Sequence, residues 1–414
     1  MYRKALMFLS AVLMLLCSGC SNSLHRAAIR GHVDVVDVLL DSGADPYPGD
    51  KAGQPEVLPV DAWVGLMAIM PSPKGDLVAL TLDHWDPDLT SPLLVITKSG
   101  ELQISTAQSP PTVHTDIPLG WFPDGTRLLF SRRVRRAAGS GDTLTEVLVL
   151  SLEDGRTESL SGGKGGLSGW TTVVDESTCI GRVSGKAFDS SGLYLFQRSD
   201  EEWRANLLLA DSEERQWKRC LWARRQEDTY RMVAEAKDKR GGFASYWSVE
   251  FADGMEPRSE LIATFDGWVG GVDVSPDGGV LAVIRSGDAA YLARVVLLPV
   301  RRDGGHIRNV SCGSMVHLLS FSPKGEQLVL WNLGWLGGGK FKEGLRAEVL
   351  TMNLASEQIL EVYLPAELQR LEFLEYVEWL SETSIAVGFV NYGTVVLDLT
   401  TGKAKTLWRI PSDK

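Results

Sequence analysis

A pattern of about fifty residues recurs along this chain from residue 60 onward, and it restricts the fold more than any other feature. In the clearest copies, an apolar run leads into a turn with proline and glycine, and a second apolar run follows. These copies are MPSPKGDLVALTLD (70–83), GWFPDGTRLLFSRR (120–133), DVSPDGGVLAVIRS (273–286) and SFSPKGEQLVLWNL (320–333). Proline presets the turn and glycine supplies a positive φ angle, so each copy predicts two strands joined by a tight turn.

Three weaker copies of the pattern fill the gaps, at 173–183, 225–236 and 378–389. A second pair of predicted strands follows the copies, for example at 93–105, 147–160 and 394–408. Four strands per repeat, seven times over, predict an all-β chain that folds as a β-propeller of about seven four-stranded blades. Six or eight blades are the alternatives, because blades three, four and seven depart from the clear turn motif.

The turns SPDG (275–278) and SPKG (72–75 and 322–325) resemble those of TolB-like, WD-type bacterial propellers. The resemblance extends over roughly residues 60–411 and implies the propeller fold. We therefore assign residues 64–411 to the β-propeller and residues 54–63 to a linker that precedes it.

The segment before the linker has a different pattern. SLHRAA (23–28), GHVDVV (31–36) and GADP (43–46) resemble a single ankyrin repeat, and the resemblance implies a short helical hairpin within residues 20–53. One such repeat cannot cover its own apolar face. We expect the hairpin to dock on the propeller, and the alternative is a remnant with no contact to it.

Residues 1–19 have the pattern of an export signal peptide. Arg3 and Lys4 precede an apolar run from Ala5 to Leu16, which is shorter than the roughly 20 residues that a membrane-spanning helix needs. LCSGC (16–20) resembles a bacterial lipobox, and the resemblance implies that Cys20 carries the lipid. We expect a lipoprotein of the bacterial cell envelope, anchored on the periplasmic side of the outer membrane. Cleavage without lipidation is the alternative.

Charge limits the classes of partner. The chain has a formal net charge of −11 and no basic tail, which argues against a nucleic-acid ligand. The predicted loops between the second and third strands of the blades have the opposite sign, and all of these loops emerge on one face of a propeller. The basic and aromatic residues that we assign to this candidate anion-attracting face are Arg132, Arg133, Arg135, Arg136, Trp335, Lys340, Phe341 and Lys342. Arginine beside aromatic rings binds carboxylates and phosphates. Solvated basic residues are the alternative.

The sequence offers no assembled catalytic set. Ser168 has Gly166 two residues before it but Trp170 two residues after it, so it lacks the GxSxG pattern of a nucleophile elbow. We therefore expect a binding or scaffold protein, with no cofactor or metal, that engages the membrane through its anchor and a protein or anionic envelope ligand through its propeller. The alternative is a hydrolase-type or lyase-type propeller enzyme that acts on an envelope glycan or peptide at the central channel.

Overall fold

The structure, a computed structural model, describes much of the chain between residues 63 and 409. The described residues are 63–84, 91–97, 102–106, 114–135, 143–162, 167–184, 188, 190–199, 202–239, 241–267, 269–286, 293–301, 305–312, 316–331, 349–362, 364, 374–389 and 393–409. They form 28 β-strands, and no helix occurs among them. The strands pair into seven four-stranded sheets in which sequence neighbours are hydrogen-bonded. The fold is a β-propeller of seven blades, which confirms the predicted fold class.

Each blade is a run of four consecutive antiparallel strands. The strands of blades one and two are β1 (Trp63–Pro71), β2 (Leu77–His84), β3 (Leu93–Thr97), β4 (Leu102–Ser105), β5 (His114–Trp121), β6 (Arg127–Arg135), β7 (Thr143–Ser151) and β8 (Thr157–Ser159). The strands of blades three and four are β9 (Leu167–Asp175), β10 (Thr178–Val183), β11 (Gly192–Ser199), β12 (Glu202–Ala210), β13 (Arg215–Gln226), β14 (Thr229–Asp238), β15 (Ala244–Ala252) and β16 (Arg258–Phe265).

Blades five to seven follow the same order. The strands of blade five are β17 (Val269–Val274), β18 (Val280–Ser286), β19 (Ala293–Pro299) and β20 (Arg308–Ser311). Those of blade six are β21 (Leu318–Phe321), β22 (Gln327–Trp331), β23 (Val349–Asn353) and β24 (Ile359–Glu361). Those of blade seven are β25 (Leu374–Ser381), β26 (Ser384–Phe389), β27 (Gly393–Asp398) and β28 (Ala404–Arg409).

The turn between the first two strands of a blade has the predicted conformation. In blade five, the Gly278 N–H donates to the Ser275 carbonyl oxygen over 2.8 Å, and Gly278 has a φ of 73°. The Ser275 hydroxyl donates to Asp277 and accepts from the Val280 N–H, which fixes the serine across the turn. In blade four, which lacks the glycine, Glu227 takes the left-handed conformation with a φ of 56°. A non-glycine residue seldom adopts this conformation, so the blade keeps the turn at some cost in strain.

The chain divides into two compact units, Leu119–Glu372 and a second unit made of Met1–Pro118 with Phe373–Lys414. In the unit Leu119–Glu372, apolar clusters fill the spaces between successive blades. Tyr230, Met232 and Trp217 of blade four pack with Ile180 of blade three, for example, and all four side chains are buried. Burying one such side chain contributes about 1.5–3 kcal/mol, so each blade depends on its neighbours for stability.

The other unit brings the two ends of the repeat region together. Within it, β1 of the first blade lies against β25, β26 and β27 of the last blade. Residues more than 300 positions apart in sequence thus form one packing interface, as a propeller requires of its first and last blades.

The described cysteines are free and buried. Burial raises the pKa of Cys220 to about 12 and that of Cys312 to about 11, and it also raises the pKa of Cys179. All three therefore stay as neutral thiols at physiological pH, which makes them poor nucleophiles.

Candidate functional site

A buried polar cluster lies in the unit that holds blade one. We call it the Asp116 cluster, and its members are Thr81, Ser91, Thr106, His114 and Asp116, all of them buried. The Thr106 hydroxyl donates to Asp116 Oδ2 over 2.6 Å, and His114 Nε2 lies 3.6 Å from the same oxygen. The Thr81 hydroxyl donates to the Asp116 carbonyl oxygen, and the Asp116 N–H donates to the Ser91 carbonyl oxygen. The cluster ties β5 to blade one and is closed to solvent.

An open cleft lies in the unit Leu119–Glu372, at the end of blade four where β14 leads into β15. We call it the blade-four cleft. It has a volume of ≈ 650 Å³ and also takes residues from blades three and five. Its charged and large aromatic lining residues are Trp170, Arg182, Lys218, Arg219, Glu235, Lys237 and Tyr246. Ligand pockets span about 300–1,000 Å³, so the cleft has the size of a binding site.

The charge of the cleft lining opposes that of the chain. Four lining residues are cationic, and Glu235 is the single acidic one in the lining. The chain as a whole has a formal net charge of −11. A cleft lined by one sign of charge concentrates ligands of the opposite sign, because the protein walls focus the field. The blade-four cleft is thus suited to an anion.

A β-bulge places two of these cations side by side. In the pairing of β13 with β14, Trp217 lies opposite Ala236 and Arg219 opposite Glu235, so Lys218 is the extra residue between them. Regular alternation would send Lys218 and Arg219 to opposite faces of the sheet. The bulge lets both line the cleft while Trp217 stays buried. Bulges often re-aim side chains beside functional sites.

The protein neutralises only part of this positive charge. Arg182 makes two hydrogen bonds to Asp211, of 3.2 and 2.8 Å, and its side chain is buried. Arg219 donates from Nε to Glu235 Oε2 over 2.7 Å, and its terminal nitrogens make no hydrogen bond to any described residue. Lys218 donates to the Gln216 side-chain oxygen. Within the described part of the chain, no carboxylate lies within ion-pair distance of Lys218 or Lys237.

Aromatic surface adjoins these cations. Trp170 is 57% exposed, and the Arg219 guanidinium carbon lies 4.7 Å from its ring centroid. This distance is within the range of a cation–π contact, so Arg219 holds the indole at the edge of the cleft. Tyr246 also lines the cleft but is buried, and burial raises the pKa of its hydroxyl.

One carboxylate with a shifted pKa lies next to the cleft. Asp273 belongs to β17 and accepts hydrogen bonds from the Val274 and Phe321 N–H groups, of 2.8 and 2.9 Å. Burial raises the pKa of Asp273 to about 6, although these hydrogen bonds and the charge of Arg219 act in the opposite direction. The carboxyl group therefore titrates just below neutral pH.

The structure places few of the residues assigned from the sequence. Arg132 and Arg133 lie at the end of β6, where Arg132 packs over the Phe130 ring at 5.6 Å and Arg133 is exposed. Arg135 is the last residue of β6. The other assigned residues lie outside the described residues: Cys20, Arg136, Trp335, Lys340, Phe341 and Lys342. Their common face remains a prediction.

The cleft residues were not assigned from the sequence. Arg182 and Lys237 fall within two predicted loops, 182–191 and 237–242, and the structure places them near the ends of β10 and β14. Sequence analysis missed Trp170, Lys218 and Arg219, because they lie on the first strands of their blades. No sequence signal marked the bulge that brings Lys218 and Arg219 together.

The described residues form neither a metal site nor a membrane-spanning helix. No group of three or more His, Cys, Asp or Glu side chains there is arranged to hold a metal ion. The same part of the chain has no helix that is long and apolar enough to cross a membrane.

Comparison with known families gives one match. The ankyrin repeat model matches residues 12–51, which confirms the ankyrin-like pattern seen in the sequence. The match begins inside the segment predicted as a signal peptide, so residues 12–19 fit both patterns. No curated protein matches the chain.

Solved structures with the same fold come from several kinds of protein. A prolyl endopeptidase matches with a TM-score of 0.57 and 12% identity, over 85% of this chain and 51% of that chain. The β-propeller domain of the trilobed protease from Pyrococcus furiosus matches with a TM-score of 0.53 and 12% identity, over 85% and 100%. An oligogalacturonate lyase in complex with manganese matches with a TM-score of 0.53 and 14% identity, over 84% and 87%.

A putative TolB from Agrobacterium tumefaciens is similar as well, with a TM-score of 0.40 and 16% identity, over 64% of this chain and 83% of that chain. At such identities, these likenesses concern the fold. This chain spans about half the length of the prolyl endopeptidase. The function therefore has to be argued from the site.

Proposed function

We propose that this protein is a lipid-anchored binding protein of the bacterial envelope that holds an anionic ligand in the blade-four cleft. One observation carries the proposal. The cleft is lined by four cationic side chains and one carboxylate in a chain whose formal net charge is −11. A random distribution of the charges of this chain would make an acidic lining the more frequent outcome.

The free cations support ligand binding more than a structural role. A buried cation in a protein is paired, as Arg182 is with Asp211. Lys218 and Lys237 have no such partner in the described part of the chain, and Arg219 shares only its Nε with Glu235. An anion that binds Lys218 and Lys237 displaces no protein carboxylate from either lysine. Charge-assisted hydrogen bonds of this type are roughly twice as strong as neutral ones.

The envelope location comes from the sequence. The segment from Arg3 to Cys20 has the pattern of a lipoprotein signal, and acylation of Cys20 provides the anchor. We expect replacement of Cys20 by alanine to release the protein from the membrane fraction. Membrane association of Cys20→Ala that persists in high salt would contradict the anchor without affecting the argument about the cleft.

The binding test uses two carboxylate polymers that differ in backbone. Oligogalacturonate is an acidic sugar polymer, and a structural neighbour is by its name an oligogalacturonate lyase. Polyglutamate has carboxylates without sugar rings, and a neutral maltooligosaccharide has sugar rings without charge. Titration calorimetry on the full-length protein in detergent measures binding of each. We expect at least one carboxylate polymer to bind, with an affinity that falls as salt is added.

Charge reversal locates the binding. Lys218→Glu combined with Lys237→Glu should weaken the binding of the carboxylate polymers at least about 10-fold, which corresponds to about 1.4 kcal/mol. Lys74→Glu combined with Lys403→Glu is the matched control, because both lysines are exposed and neither lines the cleft. Equal losses in the two double variants would contradict the proposal. Shortening of oligogalacturonate during the titration would support the enzyme alternative instead.

A further inference from the structure

The position of Trp170 narrows the chemistry of the ligand. Its ring is 57% exposed at the edge of the cleft, whereas Trp121, Trp217, Trp331 and Trp379 are buried. The Arg219 guanidinium carbon lies over the Trp170 ring, 4.7 Å from its centroid. A ligand that contacts the exposed part of the indole therefore meets a cation that lies over the same ring.

Arg219 favours a carboxylate as the charged group. Its Nε is occupied by Glu235, and its two terminal nitrogens make no hydrogen bond to any described residue. The guanidinium fork is planar and matches the two oxygens of a carboxylate. The bulge at Lys218 brings this residue into the cleft lining as a second cation next to Arg219.

Neutral hydrogen-bonding groups complete the lining. Gln216 and Ser184 lie in the cleft with the cations. Side chains of this kind exchange hydrogen bonds with hydroxyl groups. An exposed indole stacks on the apolar C–H face of a pyranose ring, and a hexuronate sugar carries its carboxylate at the edge of that ring. Trp170, Arg219 and Gln216, which line the same cleft, offer a group for each of these three features.

We propose that the ligand of the blade-four cleft is an acidic carbohydrate whose uronate ring stacks on Trp170 and whose carboxylate binds Arg219 and Lys218. The inference rests on the proposed anion-binding function and adds the sugar ring to it. The inference goes beyond charge, because a polymer with carboxylates but no sugar ring satisfies the cations and offers no ring to the exposed part of the indole.

The test separates stacking from charge. Trp170→Ala should weaken trigalacturonate binding about 10-fold and should change polyglutamate binding by less than about 2-fold. Trp170→Phe should retain most of the affinity for trigalacturonate. Phe243→Ala is the matched control, because Phe243 is 38% exposed beside the cleft without lining it. It should leave both affinities unchanged.

Three results would overturn the acidic carbohydrate. The first is unchanged trigalacturonate binding in Trp170→Ala, while the double lysine variant loses both carboxylate polymers; the anionic cleft would then stand without a stacked sugar. The second is tighter binding of inorganic polyphosphate than of trigalacturonate, which would make the ligand a phosphate. The third is unchanged binding of every probe in the double lysine variant, and in that case the proposed function fails as well.

Discussion

The Asp116 cluster and the blade-four cleft are both rich in polar and charged groups, but these groups are buried in the cluster and partly exposed in the cleft. Asp116 is fully buried and accepts a hydrogen bond from Thr106, with His114 beside it. Lys237 of the cleft is exposed, and no described carboxylate pairs with it. In the Asp116 cluster, the polar groups bond to one another inside the protein. In the blade-four cleft, cations remain available to bind a ligand from solution.

The difference has a physical basis. A buried polar group without a partner costs stability, so a buried cluster persists only when its members are bonded to one another. An exposed cation is solvated and costs little, so stability alone does not explain why several should gather around Trp170. Repulsion between like charges disfavours such a gathering, and binding of an anion offsets it.

The largest expected effect comes from breaking the Asp116 cluster. Asp116→Ala removes the carboxylate that accepts from the Thr106 hydroxyl over 2.6 Å and lies beside His114, and loss of one partner from a buried hydrogen-bonded set costs up to about 3 kcal/mol. Urea denaturation should show a loss of this size in the free energy of unfolding. Asp266→Ala is the control, because the Asp266 side chain is 73% exposed in its ion pair with Arg285. Its loss should stay within about 1 kcal/mol. Similar losses in the free energy of unfolding for the two variants would show that the buried cluster is no more important for stability than an exposed ion pair.

The second prediction concerns Asp273, a carboxylate next to the cleft. Its pKa is raised from an ordinary value of 3.8 to about 6, so the folded protein binds this proton more tightly than the unfolded chain does. The resulting stability is fully present below about pH 4 and is lost as the pH rises through about 6. A shift of this size amounts to at most about 3 kcal/mol.

Asp273→Asn removes the titrating group, but its amide oxygen can accept from only one of the Val274 and Phe321 N–H groups. We expect the variant to be less stable than the unchanged protein near pH 4, and this difference to shrink as the pH rises to about 7. Urea denaturation of both proteins across this range measures the difference. A difference that does not vary with pH would show that Asp273 titrates normally.

The smallest predicted effect comes from Glu235. Glu235→Gln removes the acidic charge of the lining but keeps an oxygen that can accept from Arg219. The pair is partly exposed, so the free energy of unfolding should change by less than about 1 kcal/mol. Affinity for trigalacturonate should rise about 2–5-fold, because the carboxylate of the ligand no longer meets the negative charge of Glu235. Calorimetry measures the affinity, and a weaker affinity would mean that Glu235 contacts the ligand favourably.

The fold was predictable because its signals are local. The sequence Ser-Pro-Asp-Gly at 275–278 predicts a tight turn, and Gly278 has the positive φ that this turn requires. Even the weak copy at 225–236 keeps the turn through Glu227. Apolar runs on both sides of such turns specify buried strands, and a repeat of four strands leaves a propeller as the natural way to cover them.

The cleft was harder to predict because its signals are not local. Trp170, Lys218 and Lys237 come from three different strands, and their proximity depends on how blades three and four pack. The bulge at Lys218 adds one residue to β13 at a point that the sequence WKRC (217–220) does not mark. Arg182 and Lys237 belong to predicted loops, whereas the structure places them in β10 and β14.

Hydrogen exchange on the full-length protein in detergent, with and without trigalacturonate, tests the central claim most directly because it reports on both regions at once. The account predicts slower exchange in the turn between β14 and β15 and around Trp170 when the ligand is bound, and no change around His114–Asp116. The Lys218→Glu and Lys237→Glu double variant should show no slowing under the same conditions. Binding that slows exchange elsewhere and leaves the β14–β15 turn unchanged would contradict the assignment of the blade-four cleft as the functional site.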